Sequence, residues 1–142
     1  DSIRAGQVMS RDLVCATPGT SIKQGLHLLR HHHLKALPIL DHNQQLVGIV
    51  SLSDLIAPLH HRPARRLGLF KRRPRPRLGE LMSSPVRCTD VDTHVVDLIG
   101  LLSDRGLHCL PVVDAQQRLV GMITQTDLIA ALYRNWLKQL PD

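Results

Sequence analysis

Aromatic residues are almost missing: the 142-residue chain has one Phe, one Tyr and one Trp. Leu, Val and Ile must therefore build the core, within a hydrophobic content of 43%. The same poverty argues against binding of single-stranded nucleic acid on stacked aromatic platforms. Cysteine is scarce too: Cys15, Cys88 and Cys109 show no CxxC spacing and no disulfide framework. They read as reduced, small apolar residues of a cytoplasmic protein. No apolar run approaches the roughly 18 residues of a membrane span, and no signal peptide is visible. The chain starts at Asp1 without a methionine. A fragment of a longer protein is one expectation, and the absence of a membrane segment here then says nothing about the parent.

A chain of this length makes one ordinary domain, or two half-size units sharing a core. A half of about 60 residues buries too little surface to stand alone. The net charge of +6 suggests an anionic partner, but the excess is local. Arg62, Arg65, Arg66, Lys71, Arg72, Arg73, Arg75 and Arg77 crowd one stretch with Pro63, Pro74 and Pro76. That composition break is read as a basic linker, residues 62–77, between units 1–61 and 78–142.

The chain repeats itself. Shifted by 73 residues, Met9 to Ala57 falls without a gap on Met82 to Ala130, and 18 of 49 positions are identical. "ALPILD" meets "CLPVVD", and "LVGIVSLSDLIA" meets "LVGMITQTDLIA". Internal repetition decides the architecture before any other argument. Within the first copy, Leu13 to Ala16 reads as a short strand ending at the Pro18-Gly19 turn. Thr20 or Ser21 then caps a helix with Ile22, Leu26 and Leu29 at helical spacing. "LPIL" is a buried strand, with Pro38 marking an edge or a beginning. A polar turn, Asp41 to Gln45, leads to a second strand, Leu46 to Val50, which makes a hairpin. A helix follows from about Ser53-Asp54 to Leu59. The second copy repeats the order, its last helix reaching through Leu132, Trp136 and as far as Leu140.

The marks "VMSRDLVCATPGTS", "KALPILD" and "LVGIVSLSDLI", then "LMSSPVRCTDVDT", "HCLPVVD" and "LVGMITQTDLI", resemble the CBS (cystathionine-β-synthase) domain twice over. The resemblance implies an α+β fold of two pseudo-symmetric β-α-β-β-α repeats, packed sheet to sheet into one Bateman module. It implies regulatory binding of AMP, ADP or ATP in clefts between the repeats, with S-adenosylmethionine and cyclic dinucleotides as related ligands. The recurring string supplies a physical basis. A helix N-terminus offers free N–H groups and a positive dipole end to phosphate. Ser51 and Ser53 can donate to phosphate or ribose oxygens, and Asp54 can accept from ribose hydroxyls. Thr124, Thr126 and Asp127 carry the same roles. The alternative role for each aspartate is to cap its own helix.

By the family pattern, the site on Asp54 receives Ser83 and the backbone near Arg87, with Leu107 and His108 beside the ring. The site on Asp127 receives Ser10, the backbone near Val14, and Leu34 with Lys35. Lys35 and His108 also stand where phosphate-facing groups occur in the aspartate's own repeat. Arg87 against Val14, and the pH-dependent His108 against Lys35, make unequal sites the expectation. The resemblance further implies a homodimer through helices, for which Leu132 and Trp136 offer an apolar face, and an effector domain in a parent chain. It extends to the cytoplasmic tails of membrane proteins of the HPP family.

His31 to His33, with His60 and His61, invite a metal reading. Consecutive residues do not share a helix face, and His27 with His31 lacks a carboxylate partner, so no metal site is expected. No nucleophile–base set has local motif support, so catalysis is not expected either. The basic linker reads as a solvated connector, with electrostatic contact to a membrane surface, a partner domain or the phosphates of a bound nucleotide as the lesser readings and nucleic-acid binding as a minor one. A structural dimerisation module with empty, vestigial clefts is the competing function.

Overall fold

A computed structural model describes residues 3–60, 75–104, 107 and 109–141. The expected linker lies outside the described residues as far as residue 74. The elements, in order, are α1 (Ala5–Val8), α2 (Ile22–His31), β1 (Ala36–Leu40), β2 (Leu46–Ser51) and α3 (Leu52–His60). The second series is α4 (Leu78–Leu81), α5 (Val95–Asp104), β3 (Cys109–Val113), β4 (Leu119–Thr124) and α6 (Gln125–Gln139). Two small sheets result, β1 with β2 and β3 with β4. No helix among the described residues is long and apolar enough to cross a membrane.

The fold is α+β as expected, with one correction. The leading strand Leu13 to Ala16 shrinks to a single bridged residue, Ala16 beside Ile39, and Thr89 beside Val112 repeats it. Ala16 donates to Pro38 O at 3.0 Å and accepts from Leu40 N at 2.9 Å. The next rung would need an N–H from Pro38, which proline lacks. Pro111 ends the second copy's ladder in the same way. Both prolines also lie inside their strands rather than at the start; in a two-stranded sheet each strand is an edge and tolerates them.

Ser21, not Thr20, caps α2: its hydroxyl accepts from Gln24 N at 3.1 Å. Thr20 instead holds the preceding turn, its Oγ1 accepting from Thr17 N at 3.0 Å. Each hairpin turn rests on an aspartate, with Asn43 N donating to Asp41 Oδ1 and Gln116 N to Asp114 Oδ1, both at 2.8 Å. Gln44 and Gln117 adopt positive φ, 66° and 65°, at equivalent places.

The chain divides into two compact units that do not coincide with the two repeats. The described parts of Asp1–Leu13, Gln44–Leu46 and Arg87–Asp142 form one, and those of Val14–Asn43 and Val47–Val86 the other. The residues that open each repeat thus pack with the sheet of the other repeat. Helix α1 joins the unit of β4 and α6, and α4 the unit of α2 and α3. Each unit has its own aliphatic core. One is built from Ala5, Met9, Val95, Leu98, Leu102, Leu110, Val112, Ile123 and Leu128. The other uses Ala16, Ile22, Leu29, Leu37, Ile39, Val50, Leu55 and Leu78. Ala5 and Leu78, Leu29 and Leu102, Leu37 and Leu110, and Leu55 and Leu128 are partners at the 73-residue shift. Each fully buried Leu contributes roughly 1.5–3 kcal/mol, so one hydrophobic plan is used twice.

The exchange of segments explains the glycine in each string. Met82 lies over Gly48, where an added Cβ would sit 2.2 Å from its Sδ. Met9 lies over Gly121 in the same way, at 2.3 Å. Only a residue without a side chain allows the methionine to reach the strand.

Candidate functional site

Strand β2 passes into α3 without a loop, so Ser51 ends the strand and caps the helix. Asp54 Oδ2 accepts from Ser51 N at 2.8 Å and from Ser51 Oγ at 3.0 Å. Ser51 Oγ stands 3.0 Å from Ser53 Oγ. A hydroxyl has one proton, so when Ser51 donates to Asp54, Ser53 is the donor to Ser51. The junction of β4 and α6 has the same plan: Thr124 N donates to Asp127 Oδ2 at 2.9 Å, and Asp127 N to Thr124 Oγ1 at 3.1 Å. This reciprocal arrangement is a capping box.

Both aspartates therefore cap their own helices, each through Oδ2 and each half-buried. Neither Oδ1 has a hydrogen bond to any described residue. A carboxylate keeps acceptor capacity on that oxygen, and the residue before each aspartate, Ser53 or Thr126, is an exposed hydroxyl residue. The first-turn N–H groups of Leu52 and Ser53, and of Gln125 and Thr126, have no intrahelical carbonyl to meet. Acceptor, hydroxyl and free N–H groups thus come together twice.

The backbone brings one more expected residue to each junction. Ser83 exchanges bonds with Ile49, two residues before Ser51: Ser83 N donates at 2.9 Å, and Ile49 N at 3.2 Å. Ser10 exchanges bonds with Met122, two residues before Thr124, at 2.8 and 3.0 Å. Both serines are exposed. Val14 and Leu34, half-buried, and Lys35, exposed, belong to the unit that holds Asp54. Arg87, exposed, and Leu107, half-buried, belong to the unit that holds Asp127. His108 lies outside the described residues.

One residue at the second junction was missed in the sequence. Gln125 Nε2 donates to Leu102 O at 2.9 Å and to Leu107 O at 3.2 Å. The available signal was a mismatch between the repeats, since Leu52 holds the corresponding place.

Among the described residues the other candidates settle into packing or surface; His61 and the side chain of His60 lie outside them. His27 and His31 stack on the exposed side of α2, rings 5.5 Å apart, and no group of three or more ligands suited to a metal forms among the described residues. Cys15 and Cys88 are half-buried and Cys109 is buried. Burial raises all three thiols, Cys109 to about 11. At pH 8 only about one Cys109 in a thousand is then a thiolate, the nucleophilic form. Iodoacetamide labelling of the native protein at pH 8, read by mass spectrometry, is expected to leave Cys109 unmodified while unfolded protein takes three labels. Labelling of Cys109 in the native protein at the unfolded rate would contradict this.

The sequence profile of the CBS domain matches residues 5–61 and 78–134. The chain belongs to the CBS domain family. Among its relatives, the chloroplastic CBS domain-containing protein CBSX2 of Arabidopsis thaliana is 30% identical over 141 residues, covering 85% of this chain and 59% of the relative. The structure of CBSX2 in complex with AMP aligns with a TM-score of 0.79 at 28% identity, over 94% of this chain and 98% of that one. The magnesium transporter MgtE of Thermus thermophilus is 29% identical over 133 residues, 90% of this chain and 26% of the transporter. The cytosolic domain of MgtE in complex with ATP aligns with a TM-score of 0.72 at 28% identity, over 91% of this chain and 48% of that one. Inosine-5'-monophosphate dehydrogenase of Methanocaldococcus jannaschii is 22% identical over 89% of this chain, a match confined to 23% of the enzyme. The CBS chain spans between about a quarter and three-fifths of the length of these curated relatives.

Proposed function

We propose that this CBS pair is a regulatory module that binds an adenine nucleotide or a related adenosyl ligand at its two strand-to-helix junctions. The observation that carries the reading is the twice-built junction, with an open Asp54 or Asp127 Oδ1 beside a hydroxyl and free first-turn N–H groups. The carboxylate oxygens take the ribose hydroxyls, since an acidic group repels phosphate. The N–H groups and Ser53 or Thr126 meet the phosphate, favoured by the helix dipole. Ser83 and Ser10, bonded to the strands that lead into the two junctions, serve as further polar contacts. Arg87, Leu107 and His108, with Val14, Leu34 and Lys35, are the further contacts that the family pattern implies. AMP in CBSX2 and ATP in MgtE support this ligand class.

The chain is not an enzyme in this reading. Its effector lies in a partner or in a parent chain, of the HPP kind or another, facing the cytoplasm. A ligand shifts such a switch only through different affinities for two arrangements.

A second reading, a dimerisation module with empty sites, draws on α6. Leu132 is half-buried against the core, so of the expected Leu132–Trp136 face Trp136 is the exposed member. The exposed stripe is Ile129, Tyr133, Trp136, Leu137 and Leu140, with Trp136 58% exposed. A homodimer through this stripe is compatible with either function.

Calorimetric titration with AMP, ADP, ATP, S-adenosylmethionine and cyclic di-AMP tests the choice. Saturable binding of one adenosyl ligand is expected. Silence across the panel, in folded protein free of carried-over nucleotide, would overturn the nucleotide reading and leave the scaffold.

A further inference from the structure

The two junctions differ most at their first helical residue. The first has Leu52, half of it exposed; the second has Gln125. An amide Nε2 carries two protons. Those of Gln125 have two carbonyls in reach, Leu102 O at 2.9 Å and Leu107 O at 3.2 Å. Leu102 lies in the last turn of α5, near the helix end where carbonyls lose their intrahelical partners, and Leu107 stands two residues before β3. One side chain thus ties the end of α5 and the approach to β3 to the first residue of α6.

The first repeat closes the same connection with its own backbone. Leu34 N donates to Leu29 O at 2.8 Å, and His33 N to Arg30 O at 3.3 Å, with His33 in the left-handed region at φ 54°. That is a Schellman closure of α2. Leu29 and Leu34 are the counterparts of Leu102 and Leu107. Leu52 cannot donate a hydrogen bond to either. The first connection therefore closes without help from α3, whereas the second is tied to the helix whose next residues are Thr126 and Asp127.

We propose that Gln125 is a positioning residue that couples the Thr124–Asp127 junction to the α5–β3 connection, a coupling absent from the first repeat. A ligand that fixes the first turn of α6 steadies the Leu107 backbone through Gln125, and loss of the tie loosens both. Coupling of this kind is reciprocal. The ligand half of the proposal rests on the nucleotide reading above; the tie itself does not.

Hydrogen–deuterium exchange and AMP titration test the two halves together. Gln125→Leu copies the residue of the first repeat, and Gln125→Lys restores a donor for both carbonyls. Working in an Asp54→Ala background weakens the first junction, so that the tighter AMP binding reports the second. In ligand-free protein, Gln125→Leu is expected to speed exchange across the α5–β3 connection about three- to tenfold, as loss of a hydrogen bond or two allows, with the α2–β1 connection unchanged. Gln125→Lys is expected to return exchange toward the Gln125 rate. AMP is expected to slow exchange at that connection only when Gln125 is present, and to bind about three- to tenfold more weakly to Gln125→Leu. Unchanged exchange in ligand-free Gln125→Leu would overturn the tie, whatever AMP does. Faster exchange with unaltered AMP affinity would overturn the positioning role and leave a helix cap. If the Asp54→Ala protein binds no AMP, the nucleotide reading of this junction fails and the coupling with it, while ligand-free exchange still decides the tie.

Discussion

Asp127→Ala and Asp54→Ala are each expected to weaken adenosyl-ligand binding at their own junction by about 10- to 100-fold. A hydrogen bond to a charged group contributes about 1.5–3 kcal/mol, and each 1.4 kcal/mol is a factor of ten. The same substitutions also remove a helix cap, because Asp127 Oδ2 accepts from Thr124 N and Asp54 Oδ2 from Ser51 N. Loss of a cap costs about 0.5–2 kcal/mol of stability, so a fall in affinity alone does not assign the role. Asp→Asn separates the two. Its amide oxygen still accepts from the strand-end N–H and keeps most of the cap, while the charge that strengthens the sugar contact is lost. Calorimetry and thermal melting on one set of variants read both effects. The expected pattern is a weakened ligand in all four variants and a clearly lowered melting temperature only in the alanines. Full affinity in Asp127→Ala and Asp54→Ala, with lowered melting, would make the aspartates caps and nothing more.

The second large effect is structural. Gly121→Ala is expected to destabilise the fold by about 1–3 kcal/mol, the usual range for overpacking. The new Cβ would lie 2.3 Å from Met9 Sδ, 2.7 Å from its Cγ and 3.1 Å from its Cβ. The thioether end can swing away, but the methionine Cβ moves only with its backbone. That backbone is held, since Met9 N donates to Ala5 O and the next residue, Ser10, is bonded both ways to Met122. Met9 is only 8% exposed, so its side chain has no solvent to retreat into. Gly48→Ala meets the equivalent Met82, with Sδ at 2.2 Å and Cβ at 2.9 Å. Met82 is half-buried, so its Sδ has a way out, but its Cβ lies closer than that of Met9 and its backbone is held alike, with Met82 N donating to Leu78 O, so Gly48→Ala is expected to cost a similar amount. Urea denaturation of Gly121→Ala, Met9→Ala and the double variant completes a cycle. Contacting residues couple by about 0.5–3 kcal/mol, and the double variant is expected to be more stable than the sum of its parts. Strict additivity would show that the methionine does not confine the glycine.

Much of this was legible before any coordinates. The 73-residue repeat, the α+β class, the hairpins, the aliphatic core and the capping string all depend on neighbours close in the chain. Local periodicity and turn chemistry report such features directly. The paired cores follow from the repeat, since Leu55 and Leu128 sit at equivalent places and both are buried. The capping alternative for the aspartates was also readable, because a hydroxyl three residues before a carboxylate is a local device.

What escaped the sequence depends on contacts distant in the chain. In the sequence Pro38 marks a strand, yet its missing N–H acts on the segment ending at Ala16 and reduces it to one bridge. Leu132 and Tyr133 are adjacent and both suit an apolar face; only packing sends Leu132 to the core and leaves Tyr133 exposed. Gln125 reads as a surface residue until the carbonyls of Leu102 and Leu107 are found beside it. Two copies of one α+β plan, each with a hydroxyl–carboxylate string at a helix start, are written in the order of residues. That each copy's opening segment packs with the other copy's sheet, setting Ser83 beside β2 and Ser10 beside β4, emerges from the folded molecule alone. The reason is physical: local patterns specify an element, but its partner is chosen by whichever surface buries its apolar face and completes its backbone hydrogen bonds.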